Sequence, residues 1–474
     1  MSKKLNENIK TAQPVQDMET YSRAHLGSMW KTSKGRVYVA TAISVVAAVV
    51  IGCGGGGGDD NSQPTPPTDK DNTAIPYNAN TTDPSAPFYV DITGLDFSIP
   101  TQPPTRTATA SSYPTTATTL ATGQLPPLSA TGNFLVNGSR NDAPEATVQS
   151  NVPTGTVVRF TMASADSTIY NPGIVRDDDP DVRNSTLFVA QPAPGDPSNM
   201  ILIDPANPHP GPWTRMVTVY IPAGYVAGSE APFMVVGDGG LWSGMTKIHT
   251  MLDNLIFQKR IPPIIFIEIG NGGGDAQGSQ RGREYDTVDG TYAEFVEQEV
   301  LPLVEQNAAV KLTHDPEGRA TMGLSSSAAA SVSMAWFHPE WYHRVLAYSP
   351  TMVNQQWPHN PALPGGAWQF HSPWAGTKAG DTPNTPLFLS QPKKPIRIWF
   401  ANGDQDNFYP AGYMADGMHD WVLGTHNFAK VLATQGYEYM WMFALDGPHF
   451  DVPLINQTLP YALEWVWQGY PVTP

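Results

Sequence analysis

The stretch ATMGLSSSAAA, residues 320–330, joins a strand-like segment to an alanine-rich helical segment across a single turn. The strand pattern ends at Gly323 and the helix pattern begins after Ser325. A turn this tight, with small residues two positions before and two after a serine, predicts a nucleophile elbow that presents the serine at the helix N-terminus. Gly323 meets the first requirement, whereas Ser327 stands where a second glycine is usual. On this segment alone, an ordinary helix cap made by the serines is the alternative.

Two later segments place an acid and a histidine after strands. The run that ends at Phe400 leads into the acidic loop NGDQD, and a later β-branched and aromatic run leads into a loop that contains His449. Asp406 occupies the position expected of a triad acid, with Asp404 as the alternative. The chain order Ser325, Asp406, His449 is the order of the triad in α/β-hydrolases. A surface turn with two carboxylates and a structural histidine are the alternative interpretations.

A glycine-rich turn follows a buried strand pattern in MVVGDGGLW, residues 234–242. Its backbone N–H groups suit one donor of an oxyanion hole, and the amide after the nucleophile, that of Ser326, suits the other. An ordinary Gly-Gly turn is the alternative.

Short β-branched and aromatic runs alternate with helical patterns beyond residue 152. The runs lie at 157–162, 216–221, 233–236, 264–269, 345–349, 396–400 and 439–444, and the helical stretches at 291–306, 326–336 and 420–435. This alternation predicts an α/β fold with a mostly parallel central sheet and helices on both faces. No helical pattern separates the first runs, so an antiparallel start is expected. Residues 177–212, rich in Asp, Pro and Asn, are expected to form a surface insertion.

The single cysteine, Cys53, follows a basic segment and then an apolar one. Residues 1–36 carry seven Lys and Arg against three acidic residues, and residues 37–51 are apolar apart from Thr and Ser. This pattern resembles a bacterial lipoprotein signal, so residues 1–52 are expected to be a signal segment and Cys53 the lipidated residue of an exported cell-envelope protein. An uncleaved anchor or a buried free thiol is the alternative. A single cysteine also excludes an intrachain disulfide.

Low-complexity sequence follows Cys53. It begins with five glycines and continues with Pro, Thr, Ser and Ala, with little hydrophobic periodicity. Because such a sequence buries too little apolar surface to offset its backbone entropy, we expect a disordered, lipid-anchored linker at 53–135, followed by the domain at 136–474. The whole chain has 27 Lys and Arg against 43 Asp and Glu, and its net charge of −16 argues against a nucleic-acid partner.

Nine segments together resemble, in order, the enterochelin esterase-like branch of the esterase D-like α/β-hydrolases. They are PTG (153–155), RFT (159–161), TVYIP (218–222), VGDG (236–239), REYD (283–286), DPEGR (315–319), GLS (323–325), GDQD (403–406) and GPH (447–449). The resemblance covers about residues 151–468, and the relatives include siderophore, feruloyl and acetyl xylan esterases and mycolyltransferases. It implies Ser325 as nucleophile, His449 as base, Asp406 as its orienting acid, and Gly240 with Ser326 as oxyanion donors.

The sequence therefore predicts a serine esterase that cleaves carboxylic esters through an acyl-enzyme and needs neither a metal nor an organic cofactor. The expected partners are a small-molecule or glycan-linked ester and, through the lipid alone, a membrane; the oligomeric state stays open. Two alternatives remain: a noncatalytic surface lipoprotein that binds a glycan or siderophore, and an acyltransferase with the same triad. Five aromatic residues suit the rim of a substrate pocket: Trp242, Trp357, Trp368, Trp374 and Tyr409. Packing in the core is the alternative for them.

Overall fold

The computed structural model describes residues 117–175, 189–193, 196–203, 209–274, 279–355, 366–372, 385–407 and 419–472. The predicted signal segment 1–52, Cys53 and the predicted linker up to residue 116 lie outside the described residues. No helix within the described ranges combines the length and the apolar character that crossing a membrane requires.

Strands occur throughout the described residues. They are β1 Thr118–Thr119, β2 Gly132–Val136, β3 Thr156–Ala163, β4 Gly173–Val175, β5 Val189–Ala193, β6 Asp196–Ile203, β7 His209–Gly211, β8 Thr214–Ile221, β9 Glu230–Ala231, β10 Phe233–Gly237, β11 Ile265–Ile269, β12 Lys311–Leu312, β13 Arg319–Leu324, β14 Arg344–Tyr348, β15 Arg397–Gln405 and β16 Glu438–Pro448. Ten of them form one sheet in the order β1-β2-β16-β15-β14-β13-β10-β11-β8-β3. Within it, β8 pairs antiparallel with both β11 and β3, and every other pair is parallel. The predicted mostly parallel sheet with an antiparallel start is confirmed.

The helices flank this sheet. They are α1 Leu241–Met245, α2 Ile248–Phe257, α3 Gln280–Tyr285, α4 Thr291–Phe295, α5 Leu301–Ala308, α6 Ser326–Phe337, α7 Leu387–Ser390, α8 Trp421–Gln435 and α9 Val452–Trp467. A π-helical turn, Val296–Val300, joins α4 to α5, and short 3-10 turns occupy Pro144–Ala146, Ser164–Asp166, Pro316–Gly318 and Gly366–Phe370. The predicted helix at 291–306 is thus a helix with one widened turn.

Two apolar cores lie on opposite faces of the sheet, and β10 shows how the sequence builds both. Phe233 and Val235 belong to one core, with residues of α4, α6 and α8. Met234 and Val236 belong to the other, with residues of α2 and α9. Because side chains alternate along a strand, a strand covered on both faces reads as a continuous apolar run. Burying each such side chain contributes about 1.5–3 kcal/mol.

The sheet begins earlier in the chain than the predicted boundary at residue 136. Strand β2 pairs with β16, and β1 pairs with β2, so Thr118–Thr119 and Gly132–Val136 are part of the sheet rather than of the linker. The physical reason is that Phe134 and Val136 alternate into the core of α2 and α9, which compensates the cost of ordering this segment. In the described parts of the predicted insertion at 177–212, β5 pairs with β6, and β7 pairs with β4, which precedes the insertion; both pairs are antiparallel.

Candidate active site

Ser325 occupies a strained turn between β13 and α6. Its φ is 60° and its ψ is −125°, a conformation that costs a residue with a side chain about 1–3 kcal/mol. Its N–H donates to the carbonyl of Tyr348 at 3.0 Å, and the N–H of Thr351 donates to the Ser325 carbonyl at 3.1 Å. These bonds tie the turn to the end of the neighbouring strand β14. A Cβ at Gly323 would overlap the backbone carbonyl of Ser327, so the turn requires the glycine there.

Ser327, which replaces the usual second glycine, closes the turn with its side chain. Its Oγ donates to the Leu324 carbonyl at 2.8 Å and accepts the Leu324 N–H at 2.9 Å. The position is crowded, because a Cβ built on Gly237 would lie 2.6 Å from the Ser327 Cβ. A serine is therefore small enough for this position, and its hydroxyl adds two local hydrogen bonds to the turn.

His449 bridges Ser325 and Asp406. Its Nε2 lies 2.8 Å from the Ser325 Oγ, and its Nδ1 lies 2.5 Å from Oδ1 of Asp406. Asp406 is fully buried and also accepts the N–H of Asn407 at 2.8 Å, while the His449 side chain keeps 19% of its surface exposed. The alternative acid, Asp404, accepts the N–H of Gly447 at 3.2 Å instead. Burial raises the pKa of the Asp404 carboxyl.

The acid and the histidine lie close together because their strands are parallel neighbours. Strands β15 and β16 pair along their length, and their register shifts between Gly403 and Gln405. At that shift the backbones of the two strands are in contact, because a Cβ on Gly403 would overlap the backbone of Gly447. The carboxyl ends of β15 and β16 therefore deliver Asp406 and His449 to the edge of the sheet at which β13 presents Ser325.

The predicted oxyanion residues lie at two helix starts beside this edge. Ser326 is the first residue of α6, so its N–H has no acceptor within the helix. Gly240 precedes α1 with a φ of 87°, in the left-handed region that glycine favours. The preceding loop is fixed, because the Gly239 N–H donates to the Ile269 carbonyl at 2.8 Å. The contact between Gly237 and Ser327 brings this loop against the elbow.

An ion pair anchors the same loop. Asp238, with a φ of 56°, receives two hydrogen bonds from Arg281, at 2.8 and 2.7 Å, and one from Asn271 at 2.8 Å. Its own N–H donates to the Tyr285 hydroxyl at 3.0 Å. Burial alone would raise the pKa of Asp238, but the Arg281 guanidinium outweighs it, and the pKa of this carboxyl is lowered. The pair holds the loop in a conformation that its backbone does not favour by itself.

A second buried carboxyl, Asp286, lies behind the elbow. It is 3% exposed, and its Oδ2 lies 3.3 Å from the Gln355 side-chain nitrogen. The nearby Ser326 hydroxyl favours the charged form of this carboxyl. Burial raises the pKa of Asp286 to about 7, and the nearby Arg281 offsets part of that effect. Asp286 lies in the REYD segment, but its contact with Gln355 could not be predicted, because the two residues are far apart along the chain.

Two further residues that no sequence motif marks lie beside the triad. The Thr351 Oγ1 lies 3.3 Å from the Ser325 Oγ, and the Trp421 indole N–H donates to Thr351 Oγ1 at 3.4 Å. Trp421 also makes a T-shaped contact with the His449 ring at a centroid distance of 5.5 Å. Of the aromatic residues considered for a pocket rim, Trp242 and Trp368 are buried, and 357, 374 and 409 lie outside the described residues.

Residues 211–440 match the model of a family described as "Putative esterase". The match includes Ser325 and Asp406 and ends before His449. No curated protein matches the chain.

Solved structures of esterases align with parts of this chain. Enterochelin esterase from Shigella flexneri aligns with a TM-score of 0.39 and 21% identity, over 54% of this chain and 55% of that one. A ferulic acid esterase aligns with a TM-score of 0.39 and 15% identity, over 67% and 99%. The feruloyl esterase module from Clostridium thermocellum, complexed with sinapinate, aligns with a TM-score of 0.40 and 13% identity, over 70% and 94%. The chain thus spans about half the length of the enterochelin esterase. Residues 211–440 of this chain thus match the "Putative esterase" family, and they lie within a mostly parallel α/β sheet.

Proposed function

We propose that this protein hydrolyses carboxylic esters through a Ser325-His449-Asp406 triad. The observation that carries the proposal is the position of His449, whose two ring nitrogens lie 2.8 Å from a strained serine and 2.5 Å from a buried carboxylate. This is the geometry that a base needs to activate a nucleophile while a third group orients it. The match of residues 211–440 to an esterase family supports the ester as the bond that is cleaved.

The first half of the reaction acylates Ser325. Its Oγ–H proton moves to His449 Nε2 while an Oγ lone pair bonds to the ester carbonyl carbon and the carbonyl π electrons move onto oxygen. The N–H groups of Ser326 and Gly240 are proposed to stabilise that oxyanion, and each such donor contributes about 3–4 kcal/mol. Collapse of the intermediate breaks the bond to the alcohol oxygen, which leaves with the proton from His449.

The second half releases the acid. Water loses a proton to His449 Nε2 and attacks the acyl carbon, and the Ser325 oxygen leaves with that proton. Asp406 accepts the hydrogen bond from the His449 Nδ1–H in both halves. Each step uses protein side chains, backbone amides and water.

For the substrate we propose a small-molecule or glycan-linked ester that is uncharged near the scissile bond. The acidic loop of the site carries Asp404 and Asp406, and the whole chain has a net charge of −16. Such a field lowers the local concentration of anionic substrates. p-Nitrophenyl acetate and the anionic p-nitrophenyl succinate form a matched pair, and we expect the acetate to have the higher kcat/KM, most clearly at low salt. A higher kcat/KM for the succinate would contradict this substrate class.

The proposed nucleophile is tested with a fluorophosphonate probe followed by peptide mapping. We expect the label on Ser325 and its loss, together with turnover, in Ser325→Ala. Asp406→Asn should lower kcat by about 10³–10⁴-fold, as loss of the orienting carboxylate does in serine hydrolases, while Asp404→Asn should change it far less. The assignment of the nucleophile is wrong if Ser325→Ala keeps both labelling and turnover.

The same experiments separate the alternatives. A noncatalytic glycan- or siderophore-binding protein has no need of the aligned serine, histidine and carboxylate, and it would neither label nor turn over esters. An acyltransferase would label equally, so it is distinguished by its products. With a sugar added to the assay, an acyltransferase would form the acylated sugar. A hydrolase would release the free acid at an unchanged rate.

We further propose that lipidation at Cys53 tethers the enzyme to the bacterial cell envelope. The support is the sequence alone: a basic segment, an apolar segment and then the only cysteine of the chain. Labelled palmitate should be incorporated in cells that express the full chain, and Cys53→Ser should abolish it. Incorporation that survives this substitution contradicts the anchor.

A further inference from the structure

Thr351 is a second hydrogen-bonding partner of the Ser325 hydroxyl, besides His449. Its side-chain oxygen lies 3.3 Å from the Ser325 Oγ, and its backbone N–H donates to the Ser325 carbonyl at 3.1 Å. Thr351 is 1% exposed, so its hydroxyl bonds to protein groups rather than to bulk water. The residue lies in the segment after β14, which ends at Tyr348.

The direction of each hydrogen bond around Thr351 follows from the chemistry of its neighbours. The indole nitrogen of Trp421 can donate but not accept, so the Thr351 oxygen accepts from it at 3.4 Å. The single proton of Thr351 is then available for the Ser325 Oγ. Ser325 in turn has one proton, which must point to His449 Nε2 if the imidazole is to act as a base.

We propose that Thr351 is a positioning residue that donates a hydrogen bond to the Ser325 oxygen, with Trp421 setting the direction of that bond. The inference rests on the proposed nucleophilic role of Ser325. The donors then run one way: Trp421 N–H to Thr351, Thr351 O–H to Ser325, and Ser325 O–H to His449. The His449 Nδ1–H continues the series to Asp406.

This arrangement acts where charge develops on Oγ. As the Oγ–H proton passes to His449 and the Oγ lone pair bonds to the substrate carbon, the hydrogen bond from Thr351 stabilises the partial negative charge on that oxygen. When water later cleaves the acyl-enzyme, the Ser325 oxygen leaves and takes up the His449 proton, and the same donor faces it. Both half-reactions therefore benefit from one side chain, which forms no covalent bond itself.

The test measures the rate of fluorophosphonate labelling of Ser325, which reports attack by Oγ without any need to know the natural ester. Thr351→Val keeps the shape and removes the donor, and we expect labelling and kcat/KM for p-nitrophenyl acetate to fall about tenfold. Thr351→Ser restores a hydroxyl and should recover labelling to about threefold of the original rate or better. Trp421→Phe keeps a ring beside His449 and should lower the rate about threefold.

A matched control is Thr425→Val. The Thr425 hydroxyl is also buried but donates to the backbone carbonyl of Trp421 at 2.8 Å within α8, so we expect this variant to label at the original rate. The inference is overturned if Thr351→Val labels Ser325 as fast as the original protein, or if Thr351→Ser is as slow as Thr351→Val. In both cases Ser325 still labels, whereas failure of the proposed function would leave Ser325 unlabelled in every variant.

Discussion

Asp286→Asn tests whether the buried carboxyl behind the elbow lowers stability at neutral pH. The pKa of Asp286 rises from its ordinary value of 3.8 to about 7, because burial penalises the charged form more than Arg281 favours it. Below about pH 3.8 the carboxyl is protonated in both the folded and the unfolded chain. As the pH rises towards 7 the unfolded chain has already lost this proton and the folded chain keeps it, so the free energy of unfolding falls.

The size of this effect follows from the two pKa values. Above pH 7 the difference between 3.8 and about 7 corresponds to at most about 4 kcal/mol, since a pKa change of one corresponds to about 1.4 kcal/mol. Between pH 5 and pH 8 the loss is about 2.5 kcal/mol. Asparagine keeps the shape and a hydrogen-bonding group next to Gln355 but cannot ionise. The free energy of unfolding of Asp286→Asn, relative to that of the original protein, should therefore increase by about 2.5 kcal/mol from pH 5 to pH 8.

Urea unfolding at pH 5 and at pH 8 gives the free energy of unfolding at each pH, and the dependence on urea concentration is compared between the two. Asp142→Asn, at an exposed position, corrects for the removal of one negative charge from the acidic chain. The reasoning about burial is refuted if the difference between Asp286→Asn and the original protein is the same at both pH values, or if it favours the carboxylate at pH 8.

Three other substitutions probe the elbow and its loop. Gly323→Ala places a methyl group on the Ser327 carbonyl, so we expect a loss of about 3 kcal/mol in thermal or urea unfolding together with loss of fluorophosphonate labelling; unchanged labelling would contradict the assigned turn. Ser327→Gly removes both hydrogen bonds to Leu324 and should cost about 1–2 kcal/mol while labelling continues, which distinguishes closure of the turn from catalysis. Arg281→Met leaves Asp238 buried without its partner and should cost about 3–5 kcal/mol, and adding Asp238→Asn should restore part of it; equal stability of the single and double variants would argue against the pair.

The sequence predicts the parts of the site that lie within short motifs at strand ends. The nucleophile turn, the acidic loop after β15 and the histidine after β16 each combine a strand pattern with turn residues, and parallel strands bring their carboxyl ends to one edge. Asp406 and Asp404 could not be separated in this way, because both follow the same strand. The contact with His449 depends on the shift in register next to Gly403, which periodicity does not encode.

Contacts between segments that are distant along the chain could not be predicted from the sequence. Thr351 follows β14 and Trp421 begins α8, and neither carries a motif that points to Ser325. The pKa of Asp286 is a property of its surroundings rather than of its neighbours in sequence. Helix α9 contains Pro460, which a sequence pattern indicates as a break, although the residue is buried within the helix. The sequence did not predict strand β2, because an alternation of apolar residues over only five positions is too short to distinguish from the polar segment before it.

The contact between Gly403 and Gly447 makes the acid and the base inseparable in redesign. Because the two backbones touch at a place where neither tolerates a side chain, a loop of different length or composition cannot be exchanged on one strand without moving the other. Transplanting the histidine loop from a relative would displace the carboxylate that orients it, even if every catalytic residue were kept. Recombination of such enzymes should therefore cross over before β15 rather than between β15 and β16, so that both loops come from the same parent.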